Sequence, residues 1–111
     1  IYSTRVDLTA REIEKNMPQD IIYGAYSAYC FRFKDAPSDY SEVYVYGDEL
    51  LEKRFKKSDK PPNLFVIKKD KFMKGKVTSI AQTFVDLWNI KSWYAKEFLK
   101  ALEVKIDGLL E

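Results

Sequence analysis

Apolar and polar positions follow two different periods along this chain, and the switch between them marks its elements. Residues 9–17 read TAREIEKNM, which places Ile13 and Met17 on one helical face and Arg11, Glu12, Glu14 and Lys15 on the other. Thr9 and Glu12 have the spacing of a capping box, and Pro18 stops the helix. The run IIYGAYSAYCFRF at residues 21–33 is apolar nearly all round, so periodicity does not separate a buried helix from a buried strand. Its length favours helix and its aromatic content favours strand. We expect a short extended stretch followed by a helix over about residues 24–33.

KDAPSDYS is a loop by its Pro, Asp and Ser content. EVYVYG reads as a strand ended by Gly47, and DELLEKRFKKS as a short helix with Asp48 as N-cap, acids first and bases last. DKPPN is a turn; NLFVIKKDKF reads as a second strand and KGKVTSI, after Gly75, as a third short one. In TSIAQTFVDLWNI, Ser79 and Gln82 have the spacing of another capping box, with Ile80, Phe84 and Leu87 along one face.

Asn89 to Ser92 break that run. From Ser92 a long helix is expected to about Gly108, with Ala95, Leu99, Leu102, Ile106 and Leu109 at heptad spacing and Phe98 widening the stripe. Roughly two heptads fall short of the three or four that mark a coiled coil, so a core-facing helix is the plainer reading. Homodimerisation through Leu99, Leu102 and Ile106 is the alternative. The predicted fold class is α+β: a small mixed sheet of about three strands flanked by helices, with two C-terminal helices.

Composition bounds what such a domain does. With 111 residues, 46% hydrophobic and 15% aromatic, residues 1–111 suffice for a single ordered domain with one core. The chain opens at Ile1, and we expect it to be a piece of a longer protein. No apolar run approaches the roughly 20 residues of a membrane span, so no membrane partner is expected. The lone Cys30, set among Tyr29, Phe31 and Phe33, reads as a buried hydrophobe and fits a cytoplasmic location.

There is no histidine, which removes histidine-based acid–base catalysis, serine–histidine triads and histidine-ligated zinc for this chain acting alone. Phosphate-binding glycine motifs are absent as well. No catalytic residue, metal ligand or cofactor site is assigned, and the sequence points away from an enzyme.

Charge changes the picture more. Residues 53–76 carry ten bases against two acids, while the rest of the chain carries nine bases against fifteen acids, so a net charge of +2 hides a strong internal asymmetry. The candidate binding residues are Lys53, Arg54, Lys56 and Lys57 on the predicted helix, and Lys68, Lys69, Lys71, Lys74 and Lys76 on the predicted strands. Such a segment suits a polyanion or an acidic protein, with strong salt dependence. Nine of the ten bases are lysine, a point charge and not a bidentate fork, which argues against reading of bases. Of the interleaved Phe55, Phe65 and Phe72, two are expected in the core, leaving little for stacking on single strands. A lysine-rich solvated surface remains the competing reading.

The segments IIYGAYSAYCFRF, EVYVYG and VTSIAQTFVDLW with a helical tail together resemble the C-terminal domain of AbiEi-type antitoxins, transcriptional regulators of type IV toxin–antitoxin and phage-defence systems. The family's S-x-x-x-T-x-x-D-L stretch is similar to Ser79, Thr83, Asp86 and Leu87, and the resemblance covers roughly residues 20–110. It implies a winged-helix DNA-binding domain before this one, a cognate toxin as partner, and a reduced nucleotidyltransferase-like unit. An active transferase of that type needs a Gly-Ser motif and paired acids on the next strand to hold Mg²⁺.

Here Gly24 and Ser27 are too far apart for the motif, and Tyr44 stands where the second acid would follow Glu42, with Asp39 in the preceding loop. The expectation is a non-catalytic effector or dimerisation domain, with a minimal nucleotidyltransferase using Glu42 and Asp39 as the alternative. Asp86, expected to be part-buried, is read as holding a buried amide or an arginine such as Arg32.

Overall fold

The structure, a computed structural model, describes residues 2–36, 39–55, 58, 60–70 and 73–110. Its elements are β1 (Tyr2–Thr4), α1 (Ala10–Lys15), β2 (Ile22–Tyr23), α2 (Ala25–Phe33), β3 (Val43–Gly47), α3 (Glu49–Arg54), β4 (Leu64–Lys68), α4 (Ile80–Asn89) and α5 (Trp93–Leu110). The four strands form one mixed sheet in the order β1-β4-β3-β2. β3 and β4 run parallel from Val43↔Leu64 to Gly47↔Lys68, with α3 as their crossover, and both outer strands are antiparallel to their neighbours.

Period-two alternation explains why both faces of the sheet are covered. Val43 and Val45 of β3, with Leu64 and Val66 of β4, meet Ile13 of α1, Leu51 of α3 and Phe55 at the end of α3. The intervening Tyr44 and Tyr46 turn to the opposite face, against α2, α4 and α5. There Tyr29, Phe98 and Leu102 are fully buried. Phe98 holds this second core together: its ring lies 5.3 Å from Tyr26, 5.7 Å from Tyr29 and 5.0 Å from Tyr94.

The predicted helix starts take the expected form. Thr9 accepts from the Glu12 amide while Glu12 accepts from the Thr9 amide, completing the first capping box. Asp48 caps α3 through the Leu50 amide. The second box is only half made: Ser79 accepts from the Gln82 amide, but the Gln82 side chain turns to Asp86 instead. Gly47 is needed where β3 meets α3, because a Cβ there would lie 2.2 Å from Leu51 Cδ1.

Two expectations about strands are corrected. KGKVTSI is not a strand: Val77 makes an isolated parallel bridge to Tyr23, flanked by the bonds Tyr23 N–Lys76 O and Thr78 N–Tyr23 O. Pairing stops there because Ser79 already caps α4, and Gly75 with φ +87° turns the chain just before. The sheet reaches four strands through β1 and β2, whose three and two residues are too short to show a period.

α5 begins at Trp93, one residue later than expected, and its stripe divides. Ala95, Phe98 and Leu102 are buried and Leu99 and Ile106 half-buried against the domain's own core, while Leu109 is exposed. Leu102 is therefore not free to pair with a second copy. Among the described residues no helix is long and apolar enough to cross a membrane.

Candidate functional site

The candidate bases are scattered over several elements. Lys53 and Arg54 are exposed on the last turn of α3, where Arg54 Nε donates to the Asn16 carbonyl at 2.7 Å and so ties α3 to α1. Lys68 ends β4 and Lys69 follows it, and both line a shallow cavity of about 510 Å³ with Gly47, Asp48 and Glu49. Lys69 Nζ donates to the Asp20 carbonyl at 2.9 Å. Lys74 and Lys76 are exposed on either side of the Gly75 turn, beside β2. Lys56, Lys57 and Lys71 lie outside the described residues. Folding thus gathers Lys68 and Lys69 beside two acids at the start of α3, and sets Lys74 and Lys76 beyond the β2 edge. Of the interleaved aromatics, Phe55 is buried, Phe65 half-buried, and Phe72 lies outside the described residues.

The four residues of the S-x-x-x-T-x-x-D-L stretch hold α4 on the sheet. Ser79 caps the helix, and Leu87 enters the core. Thr83 Oγ1 donates to the Ser79 carbonyl at 2.7 Å and takes a hydrogen bond from the Thr78 hydroxyl at 2.7 Å. Asp86, 8% exposed, accepts from the Tyr46 hydroxyl at 2.8 Å on both carboxylate oxygens and from Gln82 Nε2 at 2.9 Å. The expected Arg32 partner is replaced: Arg32 Nη2 donates to the Thr78 carbonyl at 2.8 Å, and an amide, that of Gln82, serves Asp86 as anticipated. Burial holds the Asp86 carboxyl above its ordinary range, with the hydrogen bonds from Tyr46 and Gln82 pulling the other way. Sequence spacing missed Tyr46 because its partner lies 40 residues away across the sheet.

Ser27, the nearest match to a transferase serine, is fully buried and already engaged. Its Oγ accepts from the Tyr44 amide at 2.9 Å and bonds the Tyr40 hydroxyl at 2.6 Å. Because Tyr40 gives its one proton to Glu14 Oε2 at 2.6 Å, Ser27 is the donor to Tyr40. Cys30 is buried, and burial pushes its thiol up to about 12, leaving no thiolate for nucleophilic attack at neutral pH.

Asp39 and Glu42 do share a site. Both line a cleft of about 740 Å³ between the sheet and the α4–α5 corner, walled by Tyr26, Tyr44, Phe65, Trp93 and Tyr94. The Tyr94 hydroxyl fixes the loop that carries them, donating to the Asp39 carbonyl at 3.0 Å and accepting from the Ser41 amide at 2.9 Å. Half-burial raises the Glu42 carboxyl above its ordinary range. Among the described residues no group of three or more His, Cys, Asp or Glu side chains is placed to hold a metal ion.

A second surface was not legible in advance. α4 is apolar on its outer side as well as its inner one: Val85 is 48% and Trp88 66% exposed, and Trp93 at the start of α5 is 72% exposed. Phe84 stacks on Trp88 with centroids 6.1 Å apart. The signal was present in the sequence as an amphipathic pattern with too many large apolar residues for one buried face. The chain matches no protein-family model, curated protein or solved structure in the comparisons made.

Proposed function

We propose that this domain is a non-catalytic effector or dimerisation domain of a cytoplasmic transcriptional regulator of the AbiEi-antitoxin type, with its basic residues assisting contact with DNA or with a partner such as a toxin. The observation that carries an interaction role is the outward apolar face of the α4–α5 corner. Val85, Trp88 and Trp93 place two largely exposed tryptophans on adjoining helices, and tryptophan is the residue most enriched among interface anchors. Lys91 and Lys96 flank them in a shallow cavity of about 520 Å³, which suits a protein surface with an acidic rim. Pairing through α5 would use its exposed Val104 and Leu109, since Leu102 belongs to the core.

Sedimentation of the wild-type chain and of Trp88→Glu over a range of concentrations tests the corner as a self-association face. Association that the substitution abolishes supports it, and a monomer at every concentration in both proteins rejects dimerisation. For the basic residues, duplex DNA is titrated at several salt concentrations. Exchanging Lys68 and Lys69 for Glu should lower the slope of log K against log salt by roughly two. An unchanged slope would mean that these lysines are only a solvated face.

A minimal nucleotidyltransferase is favoured by one observation, the placement of Asp39 and Glu42 on the same cleft. Against it stand the engaged Ser27 and the tyrosine at position 44. Label transfer from a nucleotide with Mg²⁺, abolished by Glu42→Gln, would establish that reading in place of ours.

A further inference from the structure

We infer that the aromatic-walled cleft beside Glu42 is a binding site for a small organic cation, an ammonium (quaternary included) or guanidinium carried on a compact apolar body. The inference does not rest on the interaction role proposed for the α4–α5 corner: the cleft shares Trp93 with that face, but Val85 and Trp88 do not line it.

Three features of the cleft select this chemistry. Its volume of about 740 Å³ lies in the range of small-molecule sites, roughly 300–1,000 Å³. Its walls are aromatic, and aromatic faces attract weakly hydrated organic cations through the ring quadrupole. Among the described residues its charge is of one sign: Asp39 and Glu42 line it, and no lysine or arginine does.

Glu42 is the strongest of these features. It immediately precedes β3 and is half-buried, and its carboxylate makes no hydrogen bond or ion pair with another described residue. A half-buried carboxylate without a partner is unfavourable, and an arriving cation would relieve it. Among the described residues the Tyr44 hydroxyl has no hydrogen-bond partner, and because none of their buried side-chain polar atoms lacks one, it opens to the cleft. The walls are set before a ligand arrives: Tyr26 and Tyr94 pack at 4.7 Å, and Tyr94 pins the loop carrying Asp39. A bare divalent ion fits less well, since it requires about six or more oxygen ligands where this cleft offers two carboxylates.

The probes are choline, agmatine and 3,3-dimethyl-1-butanol, the uncharged isostere of choline, titrated into isotopically labelled protein and followed by NMR. Choline or agmatine should move the Trp93 indole and the Ser41 and Glu42 amide signals saturably. The neutral isostere should bind at least about tenfold more weakly, and Glu42→Gln should weaken choline binding by about tenfold, the worth of one charge-assisted contact. Trp93→Ala should weaken it too; with Trp93 72% exposed and the Glu42 carboxylate without a partner among the described residues, both variants should keep the wild-type spectrum elsewhere. The inference is overturned if neither cation binds saturably, if the isostere binds as well as choline, or if Glu42→Gln leaves affinity unchanged. Displacement of the cation by a Mg²⁺-nucleotide would overturn it in favour of the transferase reading.

Discussion

Removing one hydroxyl, by Tyr46→Phe, tests how α4 is held on the sheet. In the wild-type protein that hydroxyl donates at 2.8 Å to both oxygens of Asp86, leaving Gln82 as the carboxylate's other donor among the described residues. The change keeps the ring and its packing but leaves a carboxylate that is 8% exposed with one donor fewer. A hydrogen bond to a charged group contributes about 1.5–3 kcal/mol, so we expect a loss of about 2 kcal/mol. For 111 residues that corresponds to a fall in Tm of about 8 °C.

The loss should depend on pH, with a sign set by burial. The Asp86 carboxyl is held above its unfolded value, so its contribution to stability is full at acid pH and declines as pH rises through its folded pKa. Tyr46 opposes that rise by stabilising the ionised form. The variant's folded pKa therefore moves further up, and its deficit should be largest at neutral pH and should shrink towards pH 4. Urea unfolding of wild type, Tyr46→Phe, Asp86→Leu and the double variant at both pH values makes the cycle complete. The double variant should recover most of the deficit, since two matched apolar groups replace a broken polar pair. A Tyr46→Phe loss below about 0.5 kcal/mol at neutral pH, or strictly additive single effects, would refute the coupling.

Three further outcomes are expected. Phe98→Ala removes a fully buried ring that touches three tyrosines and should cost about 3–5 kcal/mol in chemical denaturation, whereas Leu109→Ala, at a 65% exposed position, should stay within about 0.5 kcal/mol. Gly47→Ala drives a methyl against Leu51, itself 1% exposed, and should lower stability by about 1–3 kcal/mol; a neutral result would show that Leu51 has room to move. Cys30, buried and with its thiol raised to about 12, should resist a thiol reagent in the native protein at pH 7–8 and react fully in denaturant; rapid native labelling would contradict the core placement.

How much of the site was legible follows from how far apart the partners lie. Asp39 and Glu42 were singled out only as the acids nearest to the pair that the family resemblance calls for, and both line the cleft. Trp93 and Tyr94, which form its opposite wall, are about 50 residues further along, and nothing in their local pattern tied them to that loop. Counting bases found the positive segment, but adjacency in sequence did not become one surface, because β4 ends on one side of the sheet's β2 edge and the following turn lies beyond it.

By itself the sequence determined the α+β class, the capped starts of α1, α3 and α4, the strands β3 and β4, the break before α5 and the burial of Cys30. These depend on contacts within one or two helical turns or on a period-two run long enough to read. Tertiary structure alone decided the rest. A two-residue β2 and a three-residue β1 exist only because β3 and β4 present edges to them. Pairing of Asp86 with Tyr46 in place of Arg32, exposure of Trp88 and Trp93, and convergence of five aromatic rings beside Glu42 all depend on which elements pack against which. Hydrophobic patterning says that a residue prefers burial; only the packed sheet and helices say what it meets there.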